Sequence, residues 1–227
     1  MQQLLSFLAD LSQHNEREWF TANKDLYLEA YHRFEDFTAA YIERMAVLDP
    51  DLAKLTPKDC IWRIYRDVRF SADKRPYKEW MGTFLAPHGG KKSLYGGYYV
   101  HFQPGHCMFA AGIWGPGPEL LTALRKEIEA NYDELEAIFA EPAFRRYFSD
   151  FDTEWMLKKV PAGFDKDFIH ADWLKRKAFT VSTPFTDKQA SAPDFLDRVM
   201  DVSAAAKPIN DFLNYTFEEH GDFPRRC

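Results

Sequence analysis

Apolar residues recur at spacings of three and four through the N-terminal part of the chain, and at every second position from about residue 60 to 114. The first pattern predicts helix and the second predicts strands. Residues 3–13 read as a short amphipathic helix, and Asn15, with Glu18 three positions on, reads as the N-cap of the next one. The stripe Trp19, Phe20, Tyr27, Tyr31, Phe34, Phe37, Tyr41 and Met45 makes that next helix continuous for about eight turns. Asp49-Pro50 ends it near Leu48.

Beyond residue 58 the period becomes two. Cys60, Trp62, Ile64, Val68 and Phe70 alternate with Ile61, Arg63, Tyr65, Asp67 and Arg69, with Arg66 interrupting the apolar side. This predicts a strand over 60–70, followed by strands at Trp80–Pro87, Gly97–Gln103 and Met108–Trp114. His88–Lys92 and Pro104–His106 are the turns between them. Gly115–Glu119 opens a helix with Leu120, Leu121, Leu124 and Ile128 on its buried side, and residues 131–140 and 142–148 continue as shorter helices. Strand character returns at Lys177–Thr183, and 193–219 reads as one amphipathic helix or two broken near Pro208. The class is α+β: an antiparallel β-meander of about four to six strands packed against a long N-terminal helix and C-terminal helices. With no linker and no internal repeat, residues 1–227 are expected to form a single domain with its core at about 4–220.

Composition narrows the class without naming an activity. The chain is 46% hydrophobic and 28% charged, with a net charge of −6, which excludes a disordered or coiled-coil protein. No run approaches the roughly 18 consecutive apolar residues of a membrane span, and no export signal is visible, so a cytoplasmic protein with no membrane partner is expected. Cys60, Cys107 and Cys227 form no CxxC pair, and their odd number argues against a disulfide framework. Cys60 and Cys107 read as buried small hydrophobes and Cys227 as a loose terminal thiol. The seven histidines match no zinc spacing, and no Gly-x-Ser-x-Gly elbow or dinucleotide motif occurs, so no metal or cofactor is expected.

Charge position is more informative than charge sum. Residues 60–80 hold six basic side chains (Arg63, Arg66, Arg69, Lys74, Arg75, Lys78) against three acidic ones (Asp67, Asp73, Glu79). This +3 island leaves −9 for the rest of a chain whose total is −6. On a strand, Arg63, Tyr65, Asp67 and Arg69 would share one face. Arginine suits bidentate capture of carboxylate or phosphate. Arg63, Arg66, Arg69, Lys74 and Lys78, with Tyr77, are therefore the candidate ligand-binding set, and Asp67 can orient one of the arginines. Asp67, Asp73 and His101 are the candidates for proton transfer. His101 lies in a polar row with Tyr99 and Gln103 on one face of the predicted third strand. The glycine-rich turn Gly112–Pro118 either presents free N–H groups to an anion at a helix N-terminus or is a tight strand-to-helix turn with proline in first helical position.

Several segments together carry a family resemblance. They are Arg66–Ser71, Asp73-Lys74 and Pro76–Lys78; Asn15, Trp19-Phe20, Asn23-Lys24 and Tyr27; Gly112-Ile113-Trp114 with Pro116; and Leu157-Lys158, Pro161, Gly163-Phe164, Leu174-Lys175 and Lys177. In this order, over about residues 4–220, the chain resembles the mainly bacterial family known as domain of unknown function 2461. His14 stands where that family more often has asparagine. The resemblance implies one compact domain and makes the Arg-Asp-Val-Arg-Phe-Ser segment a signature; it implies no activity.

The favoured reading is a protein that binds a small anionic ligand, a phosphate or carboxylate compound, and that can be an enzyme. One alternative is a structural ion-pair cluster in an interaction protein. The other is a nucleic-acid-binding module, against which the net charge of −6 and the pI of about 5.7 both count.

Overall fold

A computed structural model describes residues 1–221 and 223; Cys227 lies outside the described residues. Helix α1 (Gln2–Gln13) buries Leu4, Leu5, Phe7, Leu8 and Leu11. The predicted long helix is divided into α2 (Arg17–Ala22) and α3 (Lys24–Leu48). Asn23 between them departs from helical geometry (φ −109°, ψ 22°), and its Nδ2 donates to the Trp19 carbonyl at 2.9 Å. An asparagine amide competes with the helix ladder for backbone groups in this way. The N-cap of α2 is Glu16 rather than Asn15, whose side chain is engaged elsewhere.

A second departure concerns residues 60–70, which do not form a strand. Cys60 ends the short helix α4 (Pro57–Cys60), and the residues after it make only isolated antiparallel bridges, Ile61 to Thr83 and Tyr65 to Tyr77. Backbone bonds from Arg66 N–H to the Pro76 carbonyl (2.9 Å) and Lys78 N–H to the Ile64 carbonyl (2.8 Å) close a loose hairpin. Pro76 has no N–H to extend the ladder. Phe70, expected on the apolar side, is 96% exposed, so the two-residue alternation is lost beyond Ile64.

The four strands are β1 (Met81–Leu85), β2 (Gly97–Phe102), β3 (Cys107–Ile113) and β4 (Phe179–Phe185), in the spatial order β1-β2-β3-β4 of one antiparallel sheet. Between β2 and β3, the His106 N–H returns to the Gln103 carbonyl at 2.8 Å, with Pro104 and Gly105 (φ 75°) at the corner. Proline then positive-φ glycine is the signature of a type II turn. From β3 to β4 the chain passes through α5 (Pro118–Ala130), α6 (Tyr132–Ala140), α7 (Pro142–Arg145) and α8 (Ala171–Lys175). It finishes with α9 (Asp187–Ala190) and α10 (Phe195–His220).

By proximity the chain divides into two compact units. The first holds Met1–Lys91, Tyr99–Phe109 and Pro184–Asp201; the second holds Lys92–Tyr98, Ala110–Thr183 and the chain from Val202 on. In the first unit, Val100 and Phe102 are fully buried, and Phe102 meets Phe34, Phe37 and Phe195 at centroid distances of 5.5–5.6 Å. The intervening Tyr99, His101 and Gln103 are half-buried on the opposite face, the division expected of an antiparallel sheet covered on one side. In the second unit, Gly112 has φ 116°, and a Cβ there would lie 2.1 Å from the Phe179 carbonyl oxygen. Only glycine permits both this backbone conformation and the close approach of β3 to β4.

Helix α10 is one helix, with Pro208 inside it. Its second half is anchored in the second unit by Asn210 and Asn214. Asn210 Nδ2 donates to the Gly97 carbonyl at 3.1 Å, and Asn214 exchanges bonds with both backbone groups of Gly96. No helix among the described residues is long and apolar enough to cross a membrane.

Candidate functional site

The charged hairpin of residues 61–80 belongs to the first unit and is fixed there by Asn15. Asn15 Nδ2 donates to the Tyr77 carbonyl and to Glu79 Oε1, and the Tyr77 N–H donates to Asn15 Oδ1, all at 3.1 Å. Beside this clamp, the Tyr77 ring stacks on Phe20 (4.0 Å, 14°) and meets Tyr65 at 5.5 Å. Tyr77 is buried, and burial raises its phenol above the ordinary value. The structure thus places this candidate ligand residue in an aromatic anchor.

Three of the arginines carry their own counter-ions. Arg69 grips Asp67 through Nε and Nη2 at 3.0 and 2.7 Å, and the Arg69 N–H also points to Asp67. Arg66 Nη1 and Arg75 Nη2 both donate to Asp73 Oδ2 at 2.7 Å, and Arg75 also bonds Glu79. The Arg75 side chain and N–H, with Arg66, hold the Asp73 carboxyl well below the usual carboxylate range. Arg69, with a smaller contribution from the Arg63 charge, does the same for Asp67, drawing it down to about 2. Both aspartates are therefore permanent anions near neutral pH. Lys74 Nζ donates to the Val68 carbonyl at 3.1 Å. Arg66, Asp73, Arg75, Glu79 and Asn15 form one continuous chain of polar contacts, and Arg69 and Asp67 a separate pair.

Arg63 and Lys78 differ from the rest. Lys78 Nζ donates to the Arg63 carbonyl at 2.8 Å and lies 4.8 Å from the centroid of Trp80. Neither side chain forms an ion pair with a carboxylate of a described residue. Burial lowers the Lys78 ammonium, and the Arg63 charge lowers it further. Exposed Arg63 and half-buried Lys78 are therefore neighbouring cations, neither of them in an ion pair among the described residues, with Asp67 the carboxylate that feels Arg63 at longer range.

The surface around Lys78 continues onto the open face of the sheet. Trp62 stands edge-to-face against Tyr99 (5.6 Å, 83°) and Trp80 (6.5 Å, 70°), and Trp80 lies 5.2 Å from His101. Gly82 makes room for this cluster, since a Cβ there would fall 2.7 Å from the Tyr99 ring. The Tyr99 hydroxyl meets His101 Nδ1 at 2.6 Å, and His101 Nε2 meets Gln103 Oε1 at 3.1 Å. With the Gln103 oxygen as acceptor, Nε2 carries the hydrogen and Nδ1 accepts from the tyrosine. Burial lowers His101, which favours the neutral ring, and burial raises Tyr99. Both imidazole nitrogens are engaged, so proton exchange with a ligand requires one of these bonds to open.

Trp62 and Trp80 are residues of this surface that charge arithmetic does not single out. Their signal is the run Trp80, Gly82, Phe84, in which large aromatics flank a glycine on one strand face. The glycine-rich turn is a strand-to-helix connection: Gly117 caps α5, Pro118 opens it, and Gly112 serves the β3–β4 approach. Elsewhere in the second unit, Asp152 accepts from Thr180 and Ser182 at 2.8 and 2.7 Å, and buried Arg176 reaches Asp150 at 3.3 Å. This network ties the segment before α8 to β4. Cys60 and Cys107 are buried, and burial pushes their thiols up to about 12 and about 11. No cluster of three or more metal-ligating side chains occurs among the described residues.

A family model described as conserved hypothetical protein (DUF2461) matches residues 3–212. No curated protein and no solved structure matches the chain.

Proposed function

We propose that this chain, which belongs to the DUF2461 family of conserved hypothetical proteins, binds a small anionic ligand, a phosphate or carboxylate compound, at Arg63 and Lys78. The observation that supports it is the unbalanced cation pair. In a chain with 35 acidic and 29 basic residues, Arg66, Arg69 and Arg75 each grip a carboxylate, while Arg63 and Lys78 form no ion pair among the described residues, Arg63 acting on Asp67 only at longer range. Like charges near one another are relieved by an anion, and the half-burial of Lys78 strengthens its attraction relative to open water. The planar guanidinium of Arg63 offers paired donors to phosphate or carboxylate, and Lys78 supplies a point charge.

A structural role for the rest of the cluster has its own support. Asp73 is shared by two arginines, and the chain of contacts runs on through Glu79 to Asn15. These residues hold the hairpin that presents Arg63 and Lys78. In this reading Arg66, Arg69 and Lys74 frame the site rather than contact the ligand.

Thermal shift with inorganic phosphate, pyrophosphate and citrate tests the proposal. A bound anion should raise Tm with concentration in the wild type and in Arg69→Ala, and not in Arg63→Ala or Lys78→Met. Absence of any shift in the wild type, or equal shifts in all four proteins, would overturn it.

A further inference from the structure

Building on the anion site above, we propose that its ligand also carries a flat unsaturated ring, in the manner of a nucleoside monophosphate, and that Trp62 is the surface on which the ring stacks. Three geometric features carry this. First, Trp62 is held edge-to-face by Tyr99 at 83° and Trp80 at 70° and lies tilted at 31° to Phe84 at 6.3 Å, so three neighbours fix its indole plane and none of them forms a close parallel stack with it. Second, it is half-buried on the sheet face opposite the one that holds Val100 and Phe102. Third, Lys78 Nζ lies 4.8 Å from the centroid of Trp80, which is itself 6.5 Å from Trp62, and reaches the Arg63 carbonyl at 2.8 Å. A ring on Trp62 would therefore have its anionic group within reach of Lys78, with exposed Arg63 the next cation along the chain.

The charge sets the size of the ligand. Two cations outside any ion pair among the described residues match one phosphate group, whereas a nucleic-acid strand needs a run of them. Arg66, Arg69 and Arg75 are occupied by carboxylates, and the net charge of −6 opposes a polyanion. A single nucleotide-like compound fits this arrangement better than a strand.

The test compares the four nucleoside monophosphates and phenyl phosphate with ribose 5-phosphate and inorganic phosphate by calorimetric titration, with a twelve-nucleotide oligothymidylate as a further probe. Stacking on an aromatic side chain is expected to make at least one ring-bearing phosphate bind about tenfold or more tightly than ribose 5-phosphate. Trp62→Leu should abolish that difference and leave the affinity for ribose 5-phosphate unchanged, while Trp62→Phe should restore most of it. Arg63→Ala should weaken every ligand. If ring-bearing and ring-free phosphates bind alike and Arg63→Ala weakens both, the ring is refuted and the anion site stands. If none binds, or Arg63→Ala has no effect, both readings fall. Tighter binding of the oligonucleotide than of any monophosphate would replace the ligand proposed here with single-stranded nucleic acid.

Discussion

Asn15 and Tyr77 exchange two hydrogen bonds across 62 residues of chain, each 3.1 Å long. The same asparagine amide reaches Glu79, so one short side chain fixes the two residues that flank Lys78. The clamp links a local loop between α1 and α2 to the basic island of an acidic protein. It is what gives the cation pair a defined place.

Asn15→Ala would leave the backbone N–H and carbonyl of buried Tyr77 without their partner. Groups stranded in this way cost about 1–3 kcal/mol, so a loss of about 2 kcal/mol is expected in urea denaturation. Gln13→Ala, two residues away on an exposed surface, should stay within about 0.5 kcal/mol of the wild type. Equal stability of the two variants would show that the clamp is ornamental.

Gly112→Ala should be among the more damaging single substitutions in the second unit. Alanine at φ 116° is strained, and its Cβ would overlap the Phe179 carbonyl oxygen. A cost of about 2–4 kcal/mol is expected, read as a fall in the urea midpoint. Gly117→Ala, where a Cβ meets nothing within 4 Å, is the control and should cost no more than about 1 kcal/mol, the loss of a favourable N-cap residue.

The paired aspartates make an acid-sensitive hairpin. Asp67 titrates at about 2 in the fold against an ordinary value of 3.8, and Asp73 lower still. Below 3.8 the unfolded chain takes up protons that the folded chain refuses, so the stabilisation is complete above that value and is lost as pH falls towards 2 and beyond. Between about pH 5 and 2 the urea midpoint should therefore fall less steeply in Asp67→Asn and Asp73→Asn than in the wild type. Parallel curves in all three would mean that neither aspartate is bound as described.

Much of the fold was legible in periodicity. The alternation of Tyr98, Val100 and Phe102 with Tyr99, His101 and Gln103 identified β2 and both of its faces, because a half-covered sheet writes its burial directly into the chain. The apolar stripe from Trp19 to Met45 identified the N-terminal helices but not their division at Asn23, which turns on one side-chain amide. Residues 60–70 misled because their alternation was an accident of charge placement. The true register there is limited to two bridges and interrupted by Pro76, while Asp67–Arg69 and Asp73–Arg75 pair locally instead of across a sheet. Charge arithmetic located the basic island. Which cations lack partners depended on Asn15 and Asp73 meeting residues that lie 62–64 and seven positions away. Trp62 was hidden for a related reason, since on a strand it would have faced the core.

The cation pair is tested most directly by the titration of the Lys78 ammonium in lysine-labelled protein, followed by NMR with and without inorganic phosphate, and assigned with Lys78→Arg. Burial and the Arg63 charge should make Lys78 titrate below its ordinary value of 10.5, and a bound anion should raise it. Arg63→Ala should relieve part of the depression and remove most of the response to phosphate. A Lys78 that titrates with the surface lysines and does not move when phosphate is added would contradict the account.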